Sequence, residues 1–123
     1  MSICISNALE DYLEAIYTIE QSKTSVRTTD IALYLSISKP SVNRAVNALK
    51  QQGLVLHEPY GAVILTEHGR KLGEEVSRRH IMVKRFLMNV LQLSEIDADN
   101  EACRIEHNIS AHTLDKMEIF MNN

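Results

Sequence analysis

The chain has 123 residues, of which 45% are apolar and 24% charged, and its formal net charge is −3. This length excludes a TIM barrel or a complete doubly wound dinucleotide-binding fold and suits one or two small soluble domains. Spread evenly, the negative charge would argue against nucleic-acid binding. The two cysteines, Cys4 and Cys103, are too few for a disulfide framework and suit a reducing compartment. Because no stretch has the pattern of a signal peptide or a membrane span, we expect a cytoplasmic protein without a membrane partner.

The first third of the chain predicts a pair of helices. Apolar residues at helical spacing indicate a first helix over residues 6–21. A hydroxyl-rich segment follows, in which Thr28 or Thr29 is expected to cap a second helix over residues 30–35.

A third helix is expected between Ser38, a candidate N-cap, and Gly53, a candidate helix end. Pro40 suits the first turn of such a helix. Apolar residues share its inward face and polar residues its outward face. The inward set is Val42, Ala45, Val46 and Leu49, and the outward set is Asn43, Arg44, Asn47 and Lys50.

After this helix the apolar spacing becomes alternating, which predicts a β-hairpin. Residues 54–57 and 62–65 are the expected strands, joined by a turn at residues 58–61. A helix-turn-helix followed by a hairpin is the element order of a winged helix. We therefore expect a mainly α-helical fold, with a winged helix-turn-helix and a small two-stranded wing in residues 1–70 and a helical domain in residues 71–123.

The helical domain is predicted to contain three helices. Thr66 is expected to cap a long helix that extends to about residue 91. Ser94 is a candidate cap before a helix over residues 97–108, and Ser110 is expected to cap a last helix ending at residue 120.

Charge is distributed unevenly between the two halves. Residues 21–57 contain five cations and one acid, a local charge of +4, whereas residues 95–107 contain five acids and one arginine. A local basic face is enough to neutralise phosphates, so the winged-helix half is a candidate DNA-binding domain. An ordinary solvated surface would carry similar charges, and the winged-helix order is what favours DNA.

Side chains that could ligate a metal occur on three of the predicted helices. They are Asp11 and Glu14 on the first helix, His80 on the long helix, and Cys103, Glu106 and His107 on the fifth helix. The i, i+3 and i, i+4 spacings place the members of each group on one side of their helix. Mixed oxygen, nitrogen and sulfur donors suit a first-row transition metal. Solvated carboxylates, a hydrogen-bonded histidine and a buried cysteine would give the same pattern, so spacing alone leaves both interpretations open.

Three strings resemble the iron- and manganese-dependent repressors of the diphtheria-toxin-repressor and manganese-transport-regulator family: DYLEAIY, RRHIMVKRFL and EACRIEHNIS. The resemblance extends over essentially the whole chain in the same element order. It implies a homodimeric transcriptional regulator, not an enzyme, with a winged-helix DNA-binding domain, a helical dimerisation domain and a divalent metal bound between them. It also implies that metal binding orients the recognition helices on a palindromic operator and represses metal-uptake genes. Some members add an SH3-like domain, and we expect the short form without it.

The resemblance implies a metal site of mixed type. Asp11 and Glu14 match ligands of the manganese branch, whereas Cys103 matches the iron branch and replaces a glutamate of the manganese branch. Ligands used across the family are matched by His80, Glu106 and His107. Carboxylates favour Mn(II) or Fe(II) as the cofactor, and a thiolate also admits Zn(II), Co(II) or Ni(II). The iron branch has a second site on a glutamate that is Lys84 here, so we expect no second site of that form.

The resemblance also implies DNA contacts from the start of the third helix and from the wing. We expect Arg44 to read a guanine in the major groove and Tyr60, at the wing tip, to contact phosphate or the minor groove. The other candidates, which include phosphate contacts, are Arg27, Thr28, Ser38, Lys39, Pro40, Ser41 and Lys50.

Two other classes of function would need other features in the sequence. A winged-helix regulator that senses an organic ligand or an oxidant through Cys103 would need an accessible thiol with a lowered pKa, which the nearby Glu106 opposes. A small metalloenzyme would need a nucleophile beside a base, an HExxH motif or a phosphate loop, and the sequence contains none of these.

Overall fold

The computed structural model describes residues 7–122, so Cys4 and residue 6, where the first helix was predicted to begin, lie outside the described residues. The predicted mainly helical, winged-helix architecture is confirmed. The elements are α1 (Asn7–Glu20), α2 (Thr28–Leu35), α3 (Lys39–Gln51), β1 (Val55–His57), β2 (Val63–Leu65), α4 (Glu67–Asn89), α5 (Glu95–Ile105) and α6 (Ala111–Met121). None of the helices described is both long and apolar enough to span a membrane.

The described chain divides into two compact units, and the division falls within α4 between Glu75 and Val76. We call residues 7–75 the winged-helix unit and residues 76–122 the C-terminal unit. The predicted boundary between a DNA-binding domain (residues 1–70) and a helical domain (residues 71–123) is a statement about function, and it stays a prediction.

Helix α3 forms where the sequence predicts it. The Ser38 hydroxyl, at the N-cap, accepts a hydrogen bond from the Ser41 backbone N–H at 3.3 Å. At the other end Gly53 takes a left-handed φ of 75°, which glycine adopts without strain. The Leu54 N–H then donates to the Leu49 carbonyl at 2.9 Å, completing the helix end. The predicted faces are also confirmed: the inward apolar residues are buried and the outward polar residues are exposed.

Helix α2 begins two residues earlier than predicted. Arg27 occupies the N-cap position, so neither Thr28 nor Thr29 caps this helix. The reason is Asp30, whose carboxylate accepts hydrogen bonds from the Arg27 backbone N–H at 2.9 Å and from the Lys23 ammonium at 2.8 Å. These two bonds, the one from Lys23 first, lower the pKa of Asp30.

The wing is a two-stranded antiparallel sheet in which Leu56 pairs with Ile64. Its turn closes where the Gly61 N–H donates to the Glu58 carbonyl at 2.8 Å. Helix α4 begins close behind the hairpin: a Cβ on Gly69 would lie 1.9 Å from the Leu54 carbonyl oxygen, so only glycine fits there. The residue that leads into β1 therefore packs directly on the first turn of α4.

The C-terminal unit has its own small apolar core. Buried residues of α4, α5 and α6 form it: Met82, Val83, Leu87, Ala98, Ala102 and Leu114. The predicted caps are confirmed, since Ser94 accepts from the Asp97 N–H and Ser110 from the Thr113 N–H, each at 3.1 Å.

Helix α5 is shifted from its predicted span of residues 97–108. It starts at Glu95, directly after its cap, and ends at Ile105. The end comes early because the Asn108 N–H bonds to the Ile105 carbonyl three residues back, which tightens the last turn. Glu106 and His107 therefore lie in a turn just beyond the helix, whereas the prediction placed them within it.

Candidate metal centre and DNA-contact surface

His80 lies between two carboxylates of the C-terminal unit. Its Nδ1 is 2.6 Å from Oε1 of Glu106, and its Nε2 is 2.8 Å from Oδ1 of Asp99. The Sγ of Cys103 lies 3.9 Å from Nδ1. The fold thus brings His80 beside Cys103 and Glu106, which follow it by 23 and 26 positions in the sequence, and all three were predicted as metal ligands.

The Glu106 carboxylate is buried with one oxygen unsatisfied. Its side chain is 0% exposed, and within residues 7–122 its Oε2 accepts no hydrogen bond. The Nε2 of His107, another predicted ligand, lies 3.5 Å from Oε2, and the His107 side chain is also buried. Burying a carboxylate oxygen without a partner is costly. Its position at the C-cap of α5, the negative end of the helix dipole, adds to that cost. A divalent cation would remove both penalties, so these donors fit a metal ion.

The structure adds Asp99, which was not among the predicted ligands. Asp99 precedes Cys103 by four residues and Glu106 by seven, so helical spacing on α5 was the signal that could have found it. Its hydrogen bond with His80, followed by its interactions with Lys84, lowers the pKa of Asp99 against the opposing effect of burial.

Lys84 holds the outer side of this cluster. Its Nζ is 3.4 Å from Oδ1 of Asp99 and 3.4 Å from Oε2 of Glu95. Desolvation opposes the charged ammonium, but the hydrogen bonds and charges of Glu95 and Asp99 raise the pKa of Lys84.

Asp11 and Glu14, the remaining predicted ligands, lie on α1 of the winged-helix unit. Both are partly exposed, whereas Leu13 and Ile16 of the same helix are buried in the core. Their spacing puts them on one side of α1, as predicted. Their role as ligands stays a prediction.

The candidate DNA-contact residues all lie in the winged-helix unit. At the start of α3, the Ser38 and Ser41 hydroxyls are 3.0 Å apart, and the Arg44 guanidinium donates to Ser41 Oγ at 3.3 Å. Lys39 and Pro40 are exposed beside them. The first turn of α3 therefore presents hydroxyl groups and cations, with no acidic residue.

Two cations hold the wing through its backbone. The Arg27 guanidinium donates to the Tyr60 carbonyl at 2.9 Å, and the Lys50 ammonium donates to the His57 carbonyl at 3.0 Å. Tyr60 itself has a left-handed φ of 62° and is fully exposed at the wing tip. Thr28, the first residue of α2, is partly exposed. These predicted DNA contacts surround the wing and the start of α2.

Two family models match the chain in succession. The iron-dependent repressor N-terminal DNA-binding domain matches residues 5–63, and the iron-dependent repressor metal-binding and dimerisation domain matches residues 66–123. An uncharacterised HTH-type transcriptional regulator of Methanocaldococcus jannaschii is 36% identical over 118 residues, which are 95% of this chain and 94% of that protein.

Solved structures show the same fold. A manganese-dependent transcriptional repressor in complex with manganese is 30% identical, with a TM-score of 0.85, over 93% of this chain and 52% of that one. The manganese regulator SloR is 31% identical, with a TM-score of 0.83, over 93% of this chain and 53% of its own. The chain therefore spans about half the length of these structures.

Proposed function

The chain belongs to the iron-dependent repressor family of metal-dependent transcriptional repressors, and on this premise we propose that it represses metal-uptake genes as a homodimer on a palindromic DNA operator. In this proposal residues 1–70 bind DNA, and residues 71–123 bind the metal and dimerise. The two matched family models support DNA and a second copy of the chain as partners. Mn(II) or Fe(II) is the proposed activating ion.

The observation that carries the metal proposal is the buried, unsatisfied Oε2 of Glu106 beside His107. A bound divalent cation supplies the positive charge that this oxygen lacks. The proposed ligands are Asp11, Glu14, His80, Cys103, Glu106 and His107. The three carboxylates and two imidazoles beside the thiol favour Mn(II) or Fe(II), and the exposed Cys103 also admits Zn(II), Co(II) or Ni(II).

The proposed DNA contacts are divided between base reading and phosphate binding. Arg44 is exposed on the outward face of α3, and a guanidinium there reads guanine through two hydrogen bonds. Tyr60 contacts the backbone or the minor groove from the wing. The proposed phosphate and register contacts are Arg27, Thr28, Ser38, Lys39, Pro40, Ser41 and Lys50.

An operator titration tests this function. A duplex selected from a random pool by the Mn(II)-loaded protein is titrated with protein that carries Mn(II), Fe(II), Zn(II) or Co(II), and with chelator-treated protein. We expect tight binding with Mn(II) or Fe(II) and its loss with chelator. Glu106→Gln is expected to abolish the metal response, and Glu101→Gln, which removes an equal charge from the preceding helix α5, is expected to retain it. Tight DNA binding that needs no metal and resists the chelator would overturn the proposal.

The exposure of Cys103 supports one alternative, a regulator that senses an oxidant or organic ligand through this thiol. Chelator-treated protein is exposed to hydrogen peroxide, and its affinity for the selected duplex is measured before and after. A change that disappears in Cys103→Ser would favour the alternative, whereas an unchanged affinity would leave metal as the signal.

A further inference from the structure

The two nitrogens of the His80 ring face different surroundings. The Nδ1 edge meets Glu106 Oε1 at 2.6 Å and Cys103 Sγ at 3.9 Å, so it points at groups with metal-binding atoms. The Nε2 edge meets Asp99 Oδ1 at 2.8 Å. The ring is therefore held from both sides, and the His80 side chain is only 14% exposed.

A histidine that binds a metal uses one nitrogen for the ion and carries a proton on the other. When that N–H donates to a carboxylate, the ring orientation and tautomer are fixed and the ligand becomes more basic. In the C-terminal unit, Asp99 is the carboxylate placed to accept a hydrogen bond from the Nε2–H of His80.

We propose that Asp99 is a positioning residue, which accepts the Nε2–H of His80 and so fixes Nδ1 as the metal-binding nitrogen. This inference rests on the proposed metal-dependent function. It assigns a role to a residue outside the predicted ligand set and divides the cluster into a binding edge and a supporting edge.

Lys84 explains why Asp99 supports the ligand rather than binding an ion itself. The Lys84 ammonium lies 3.4 Å from the same Oδ1 atom that His80 contacts, and 3.4 Å from Glu95. A second divalent cation on Asp99 would be repelled by this ammonium at close range. The supporting edge already contains a cation, the Lys84 ammonium, beside the Asp99 oxygen that faces the His80 ring.

The affinity test compares Asp99→Ala with Asp99→Asn and Glu101→Ala. Each metal-free protein is titrated with Mn(II) against a chromogenic chelator, after its thermal unfolding midpoint has been checked. We expect about 10- to 100-fold weaker binding for Asp99→Ala. Asp99→Asn should lose less, because its amide oxygen still accepts a hydrogen bond from the Nε2–H group. Glu101→Ala, which removes an equal charge from α5, should bind within about twofold of the unsubstituted protein, since Glu101 pairs with Arg104.

A spectroscopic test needs no substitution to be decisive. In the Zn(II)-loaded, ¹⁵N-labelled protein, nitrogen–proton correlations of His80 should show the metal on Nδ1 and a slowly exchanging proton on Nε2. Metal on Nε2 would overturn the proposal, even if Asp99→Ala did not fold.

The remaining outcomes separate the inference from the proposed function. If the unsubstituted protein shows metal-dependent operator binding but Asp99→Ala binds Mn(II) equally well, the inference fails and the function stands. A fall in stoichiometry from two ions to one in Asp99→Ala would make Asp99 a ligand and overturn the positioning role. If the unsubstituted protein binds neither Mn(II), Fe(II) nor Zn(II), both the function and the inference are wrong.

Discussion

Helices α3 and α5 begin in the same way and differ in where they place their charges. Each starts with a serine whose hydroxyl accepts the N–H three residues on, at 3.3 Å for Ser38 and 3.1 Å for Ser94. Helix α3 then exposes its cations to solvent, whereas α5 is acidic in its first turn and is followed directly by the fully buried Glu106. Outward cations suit an extended polyanion that stays outside the protein. Inward anions suit an ion small enough to enter it.

The same difference explains why the negative net charge of the whole chain does not argue against DNA binding. A value of −3 for the whole chain conceals a basic winged-helix region and an acidic region around α5. Phosphate binding depends on the local basic face, so the average carries no information about DNA. The comparison therefore predicts that substitutions in the two helices affect different ligands.

The largest expected effect is on the acidic side. His107→Ala removes a buried imidazole that lies 3.5 Å from the unsatisfied Glu106 oxygen, and we expect Mn(II) affinity to fall by more than about 100-fold. Metal titration measures this, with the exposed His112→Ala as the control. Equal metal affinity in both variants would remove His107 from the ligand set.

Arg44→Ala is the corresponding change on the basic side. If Arg44 reads a guanine, operator affinity should fall by about 1–3 kcal/mol, with discrimination lost at one base position. Mn(II) affinity should stay unchanged. Asn47→Ala, also on the outward face of α3, serves as the comparison. An equal loss on every DNA sequence would show that Arg44 binds phosphate and does not read a base.

Lys39→Ala should have a smaller effect that does not depend on sequence. Loss of one phosphate contact reduces the slope of log affinity against log salt by about 0.9, which corresponds to roughly fivefold weaker binding near 0.15 M salt. Affinities measured over a range of salt concentrations test this. An unchanged slope would mean that the exposed Lys39 makes no phosphate contact.

The smallest expected effect concerns stability, at the start of α2. Asp30→Asn weakens the bonds to Lys23 and to the Arg27 N–H, and should lower the free energy of unfolding by about 1 kcal/mol at pH 7. Because the pKa of Asp30 is lowered in the folded state, its contribution is complete above the unfolded pKa, near pH 4, and is lost as the pH falls through the folded value. Urea unfolding at several pH values should show the two proteins converge in acid. A difference that persists there would show that the charge of Asp30 is not its cause.

Sequence patterns predicted the parts of the fold that local signals determine. The cap at Ser38, the end at Gly53 and the apolar face of α3 all lie within one short segment, so they could be read directly. The predicted start of α2 was wrong because the carboxylate of Asp30, the third residue of the helix, accepts a hydrogen bond from the backbone N–H of Arg27. The predicted end of α5 was wrong because the last turn of the helix tightens, and no residue type at that position signals such a turn.

The candidate site was less predictable because it depends on packing between helices. His80 and Glu106 are 26 positions apart, and only the packing of α4 against α5 brings their side chains to 2.6 Å. Asp99 shares helical spacing with Cys103 and Glu106, but spacing cannot show which nitrogen of His80 it meets. The resemblance to a family supplied candidate ligands, whereas the supporting contacts of Asp99 and Lys84 required the structure.

The two bonds that hold the wing have a consequence for the entropy of binding. Arg27 and Lys50 fix the hairpin backbone at the Tyr60 and His57 carbonyls before any DNA is present. A wing tip that is already ordered loses little conformational freedom when it meets a groove, so less of the contact energy is consumed in ordering it. Each cation also keeps further N–H donors beyond the one used, which leaves a preorganised span between α3 and the wing with donors available to phosphates.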